Sequence, residues 1–186
     1  MAVVDLLNRR LSFVAAVFAF LGVIVGVVAL ATNYWTVINF TVPGTAAFTS
    51  NGTVLERGSV NFTWNGLFYQ CTAGVDGCLT RFWATTFLLC LLGLIFLLVG
   101  GIFIVWDIFQ ITDRRFAIPF LFFISSVLLT AGIFDYGSWA PLNYHSSRLM
   151  ISAVVFAYSG LPITAFIAGR YSTFDRFVVT TATNGN

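Results

Sequence analysis

Asn33-Tyr34-Trp35 and Gly66-Leu67-Phe68-Tyr69-Gln70-Cys71, with Cys78 close behind, bracket a segment that adjoins a long apolar run at each end. Between Trp35 and Cys78 lie three N-x-Thr sequons, Asn39-Phe40-Thr41, Asn51-Gly52-Thr53 and Asn61-Phe62-Thr63. Apolar spans before and after imply a membrane. Sequons and neighbouring cysteines imply that the segment between them faces the lumen or the cell exterior.

The composition agrees. Of 186 residues, 59% are hydrophobic and 9% charged, and the mean hydropathy is +0.92, whereas a soluble domain carries about 25% charged residues. A net charge of +2 gives no reason to expect a nucleic-acid partner. Four runs reach the roughly 20 apolar residues that a bilayer core requires. They cover about 11–31, 82–106, 116–134 and 150–169, leaving a large outer loop 32–81, a short outer loop 135–149 and a tail 170–186. The expected fold class is an all-α membrane protein, a single four-transmembrane-helix bundle (1–186) with a small extracellular antiparallel β-sheet. A cleaved signal peptide is the competing reading of the first run, because Ala29-Leu30-Ala31 resembles a small-residue cleavage site. Its apolar length exceeds the usual 7–15 residues or so.

Arginines set the orientation. Arg9, Arg10, Arg114, Arg115, Arg170 and Arg176 fall on one side of the spans, and Arg57, Arg81 and Arg148 on the other. The Arg-rich side is expected to be cytoplasmic, with both termini there. The sequons point the same way independently.

Within the first span, Gly22 and Gly26 are spaced four apart, which lets helix backbones approach closely in lipid. Contact inside the bundle and a dimer interface are the two readings, and the former is preferred. Pro162, in Ser159-Gly160-Leu161-Pro162, is expected to kink the fourth span. The middle of each span lacks ionisable residues, which argues against an ion path through one bundle.

In the large loop, Ile38-Asn39-Phe40-Thr41-Val42 and Val60-Asn61-Phe62-Thr63-Trp64 alternate like strands. On this reading the sequon asparagines share one face of a sheet and the apolar residues share the other. Cys71 and Cys78 suit a disulfide, with two free thiols as the alternative. Cys90 lies within the second span and suits packing. His145 with Ser146, Ser147 and Asp135 holds the residue types of a hydrolase triad, but nothing in the sequence fixes their geometry. One His and three Cys make no convincing metal set. No catalytic residue, metal, cofactor or small-molecule substrate is expected.

An aromatic-Trp at the end of the first span, followed by Gly-Leu-aromatic-x-x-Cys and a second Cys before the next span, resembles the claudin superfamily. That group includes claudins, the peripheral myelin proteins, channel and receptor auxiliary subunits, and clarins. The motif residues are Trp35, Gly66, Leu67 and Phe68, with Cys71 and Cys78. Phe68 departs from the usual Trp, as it does in clarins. The resemblance implies that Trp35 and Phe68 anchor the extracellular sheet at the membrane surface and that the disulfide staples two strands. It implies a plasma-membrane protein working by contact with lipid and with other integral membrane proteins. The long, sequon-bearing and weakly charged loop favours an auxiliary or organising subunit of a channel, receptor or other assembly. The alternative is a junction adhesion or paracellular barrier protein.

Overall fold

The computed structural model describes residues 2–42, 47–48, 54–55, 59–72, 78–109 and 116–183; for 2–6, 39–62, 72 and 170–183 only the backbone path enters the description. Four helices carry the chain: α1 (Ala2–Ala31), α2 (Ala84–Phe109), α3 (Ala117–Gly137) and α4 (His145–Thr183). All four are long and apolar enough to cross a membrane, so this is a multi-pass membrane protein. α1 packs on α2 and α4, and α3 packs on the same two, which closes a bundle.

Two helices outrun their apolar segments. α1 begins at Ala2, and α4 continues through the expected tail as far as Thr183. Hydropathy marks the part of a helix that fits hydrocarbon, while the helical hydrogen-bond ladder continues into water. α4 also runs through Pro162 as one helix. His145, Ser146 and Ser147, expected in the short loop, open α4 instead.

The core joins side chains from every helix, including Cys90, Leu97, Phe122, Leu129 and Met150. Gly22 and Gly26 face this interior. A Cβ on Gly22 would lie 3.0 Å from Leu97 and 3.2 Å from Phe156, and one on Gly26 would overlap Leu94. Both glycines are spent on neighbours within the bundle.

At the end of the bundle opposite the chain termini (the loop end) lies a four-stranded antiparallel sheet. Its strands are β1 (Thr36–Val42), β4 (Ser59–Asn65), β5 (Tyr69–Thr72) and β6 (Cys78–Thr80), in that spatial order. Two short strands, β2 (Ala47–Phe48) and β3 (Val54–Leu55), pair separately. β1 and β4 are the two alternating segments, and they pair with each other.

The register overturns the expected one-sided sheet. Asn39 stands opposite Phe62, and Phe40 opposite Asn61. Residues directly opposite across an antiparallel pair share a face. The asparagines of these two sequons therefore occupy opposite faces, each grouped with an aromatic residue of the neighbouring strand. Alternation fixes faces within a strand; a one-residue difference in pairing exchanges them between strands. Asn51 lies outside the described residues.

Candidate functional site

The motif residues converge where the sheet meets the helices. Glycine at position 66 leaves room for Asn33, whose side chain would collide with any Cβ there. The Asn33 carboxamide then brackets the following turn: Nδ2 donates to the Tyr69 carbonyl at 3.3 Å, and Oδ1 accepts from the Tyr69 N–H at 3.4 Å. The Gly66 N–H closes the turn on the Tyr69 carbonyl at 2.9 Å. On the other side, the Leu67 and Phe68 carbonyls accept from the N–H groups of Trp83 and Arg81, each at 3.0 Å. The Gly-Leu-Phe turn thus ties the first helix's exit to the second helix's entrance.

Trp35 and Leu67 are fully buried beneath this turn. The Trp35 indole Nε1–H donates to the Ala29 carbonyl at 3.1 Å, and its ring sits 5.0 Å from that of Tyr136. An indole with a satisfied N–H in a dry site contributes its full apolar area and a directional bond. Trp35 therefore anchors the sheet from inside the protein, whereas a membrane-surface anchor would face the lipid boundary. Phe68, half-buried, stacks on Phe82 at 5.5 Å and meets Phe87 edge-on at 5.4 Å. The aromatics most open to the surroundings here are different ones, among them Trp139 at 72% exposure.

Cys71 and Cys78 stand opposite each other on β5 and β6 and form a disulfide. Cys90 is a buried free thiol against Gly132.

The short loop is bonded into the sheet through residues that carry no recognisable motif. Asn143 Oδ1 accepts from the Val37 N–H at 2.9 Å, and its Nδ2 donates to the Val37 carbonyl at 2.8 Å. That side-chain amide stands in for a neighbouring strand at the outer edge of β1. The Thr36 hydroxyl donates to the Pro141 carbonyl at 2.6 Å. Tyr136 Oη reaches Thr36 Oγ1 at 3.2 Å and the Asn65 carbonyl at 3.3 Å. The Ser146 N–H donates to the Tyr34 carbonyl at 2.9 Å, and Ser146 Oγ accepts from the Tyr34 N–H at 3.2 Å and lies 2.8 Å from Thr32 Oγ1. Large loop, short loop and the four helix ends form one platform.

The Ser-His-Asp residues are not assembled. Ser146 bonds Thr32 and Tyr34, Ser147 Oγ donates to the Tyr144 carbonyl at 2.8 Å, and Asp135 accepts from the Thr86 hydroxyl at 2.7 Å. His145 packs against the Tyr144 ring. Among the described residues, no three His, Cys, Asp or Glu side chains gather as a metal site.

No family model and no curated protein matches the chain.

Proposed function

We propose that this chain is a glycosylated, claudin-like four-span protein of the plasma membrane, with both termini cytoplasmic. It acts as an auxiliary or organising subunit that binds a channel, receptor or other integral membrane protein. The observation that carries this reading is the platform: two loops cross-bonded by Asn143, Ser146 and Tyr136 present a fixed outer surface rather than loose segments. A preformed surface loses little freedom on binding. Around the bundle, many large apolar side chains remain exposed along the helices, as lateral contact within the bilayer requires.

The sheet register supports the auxiliary role over the junctional one. With Asn39 and Asn61 on opposite faces, glycans on both would flank the sheet from either side and hinder close side-by-side assembly into strands.

Expression in non-adherent cells lacking junction proteins tests the choice. The auxiliary reading expects dispersed surface protein, and enrichment at new cell–cell contacts with strand formation would sink it. Mild-detergent purification from native tissue should bring down a second membrane protein; homo-oligomers alone would count against it. Orientation is tested by Asn39→Gln, Asn51→Gln and Asn61→Gln. Unchanged gel mobility of the triple variant would remove the outside assignment of the loop.

A further inference from the structure

The end of the bundle nearest the termini carries a feature that the contact reading leaves unused. Between α1 and α2 runs an apolar groove of about 780 Å³, lined by Phe13, Val17 and Phe20 on one side and Val105 and Phe109 on the other. Arg9 and Arg10 form its mouth. A second hollow of about 340 Å³ shares Phe20, Val105 and Phe109 and carries the groove on to Ile102. Both arginines are exposed.

We propose that this groove holds an anionic phospholipid, its phosphate on Arg9 and Arg10 and one acyl chain lying along Phe13, Val17 and Phe20.

Two observations select this occupant. The first is charge: the charged residues among those lining the groove are two adjacent arginines, Arg9 and Arg10, and guanidinium groups complement a phosphate and offer bidentate geometry to its oxygens. The second is depth. From Arg10 to Phe20 the helix rises about 15 Å, half of the roughly 30 Å hydrocarbon core. The groove is one leaflet deep, with its cations at headgroup level. A transmembrane partner helix would be seated better by a groove continuing through both leaflets. An acyl chain ends at mid-depth, as the groove does. The leaflet is the one at the terminal end, whichever compartment that end faces, so the inference stands apart from the functional reading above.

Native mass spectrometry of the purified full chain in detergent tests it, with phosphatidylserine and phosphatidylcholine of identical acyl chains as probes. At about five-fold per arginine, phosphatidylserine should bind on the order of thirty-fold more tightly. Arg9→Gln with Arg10→Gln should lower phosphatidylserine to the phosphatidylcholine level, while Arg9→Lys with Arg10→Lys keeps most of the preference. Val17→Trp, which fills the groove and leaves both arginines, should weaken both lipids. Arg148→Gln, at the other end of the bundle, should change nothing, and gel filtration with an intact Cys71–Cys78 disulfide checks that each variant folds. Equal binding of the two lipids, a preference that survives Arg9→Gln with Arg10→Gln, or unchanged binding in Val17→Trp would each overturn the proposal. So would competition by deacylated glycerophosphoserine as strong as by the lipid, which would show a headgroup site without a chain. Disulfide cross-linking of Phe13→Cys between copies would also overturn it, because a second molecule would then fill the groove.

Discussion

The loop end and the terminal end of the bundle are built on different physical terms. At the loop end, directional bonds decide the geometry: Asn33, Thr36, Asn143 and Ser146 each bond a specific backbone or side-chain partner in another element. Trp35 and Tyr136 fill the space beneath. At the terminal end, contact is apolar and shape-driven. The groove between α1 and α2 is left open there, and the buried side-chain amide of Asn8 has no hydrogen-bond partner among the described residues. Directional bonds specify one arrangement, while apolar surfaces in lipid tolerate several neighbours, since lipid tails are as apolar as leucine. The molecule is therefore specified from one end.

The sharpest way to break this contrast is Trp35→Ala. Truncating a fully buried aromatic should cost about 3–5 kcal/mol and lower the Tm in detergent by more than any change at the terminal end. A variant that melts like the parent would show that the platform does not hold the bundle. Next comes Gly66→Ala, which drives a methyl group into Asn33 and displaces its bracket on Tyr69. Overpacking of this kind costs about 1–3 kcal/mol, read as a lower Tm with slower formation of the Cys71–Cys78 disulfide. Asn143→Ala removes both bonds to Val37, and at a partly solvated edge the expected loss is about 1 kcal/mol. Limited proteolysis of the short loop would report it even where the Tm moves little. The smallest effect, with the opposite sign, belongs to Asn8→Leu. Replacing the buried amide removes its desolvation cost, part of which the altered packing of leucine offsets, so stability should hold or rise by less than about 1 kcal/mol. A clear loss of stability there would reveal a polar partner for Asn8 and blur the distinction between the two ends.

The apolar spans were legible because hydrocarbon thickness imposes a length that few other structures need. Their ends were less so: charges such as Arg9, Arg170 and Arg176 interrupt hydropathy without interrupting a helix. Both long strands could be read from period-2 alternation, but their register could not. Nothing in a single strand says which residue of its partner stands opposite Asn39, and that choice separated the sequons onto two faces. Within the site, Gly66 and the cysteines stood out because Gly-Leu-aromatic-x-x-Cys with a second Cys resembles a known pattern. Asn33 was visible only as a neighbour of Trp35, and Asn143 not at all, since asparagine is common in loops for many local reasons. What made them structural was a partner far along the chain, 36 positions away for Asn33 and 106 for Asn143, and a linear pattern carries no record of that.

The continuous path of α4 has a mechanical corollary. From His145 to Thr183 it contains 39 residues, about 58 Å at 1.5 Å per residue, close to twice the bilayer's hydrocarbon thickness. Its first turn is clamped to the large loop through Ser146 and Tyr34. A push on the platform is therefore delivered to a stiff rod, and any tilt at its clamped end sweeps the far end through a proportionally larger arc. The lone proline, Pro162, withdraws one backbone donor part-way along that rod, which sets the point where it would flex first.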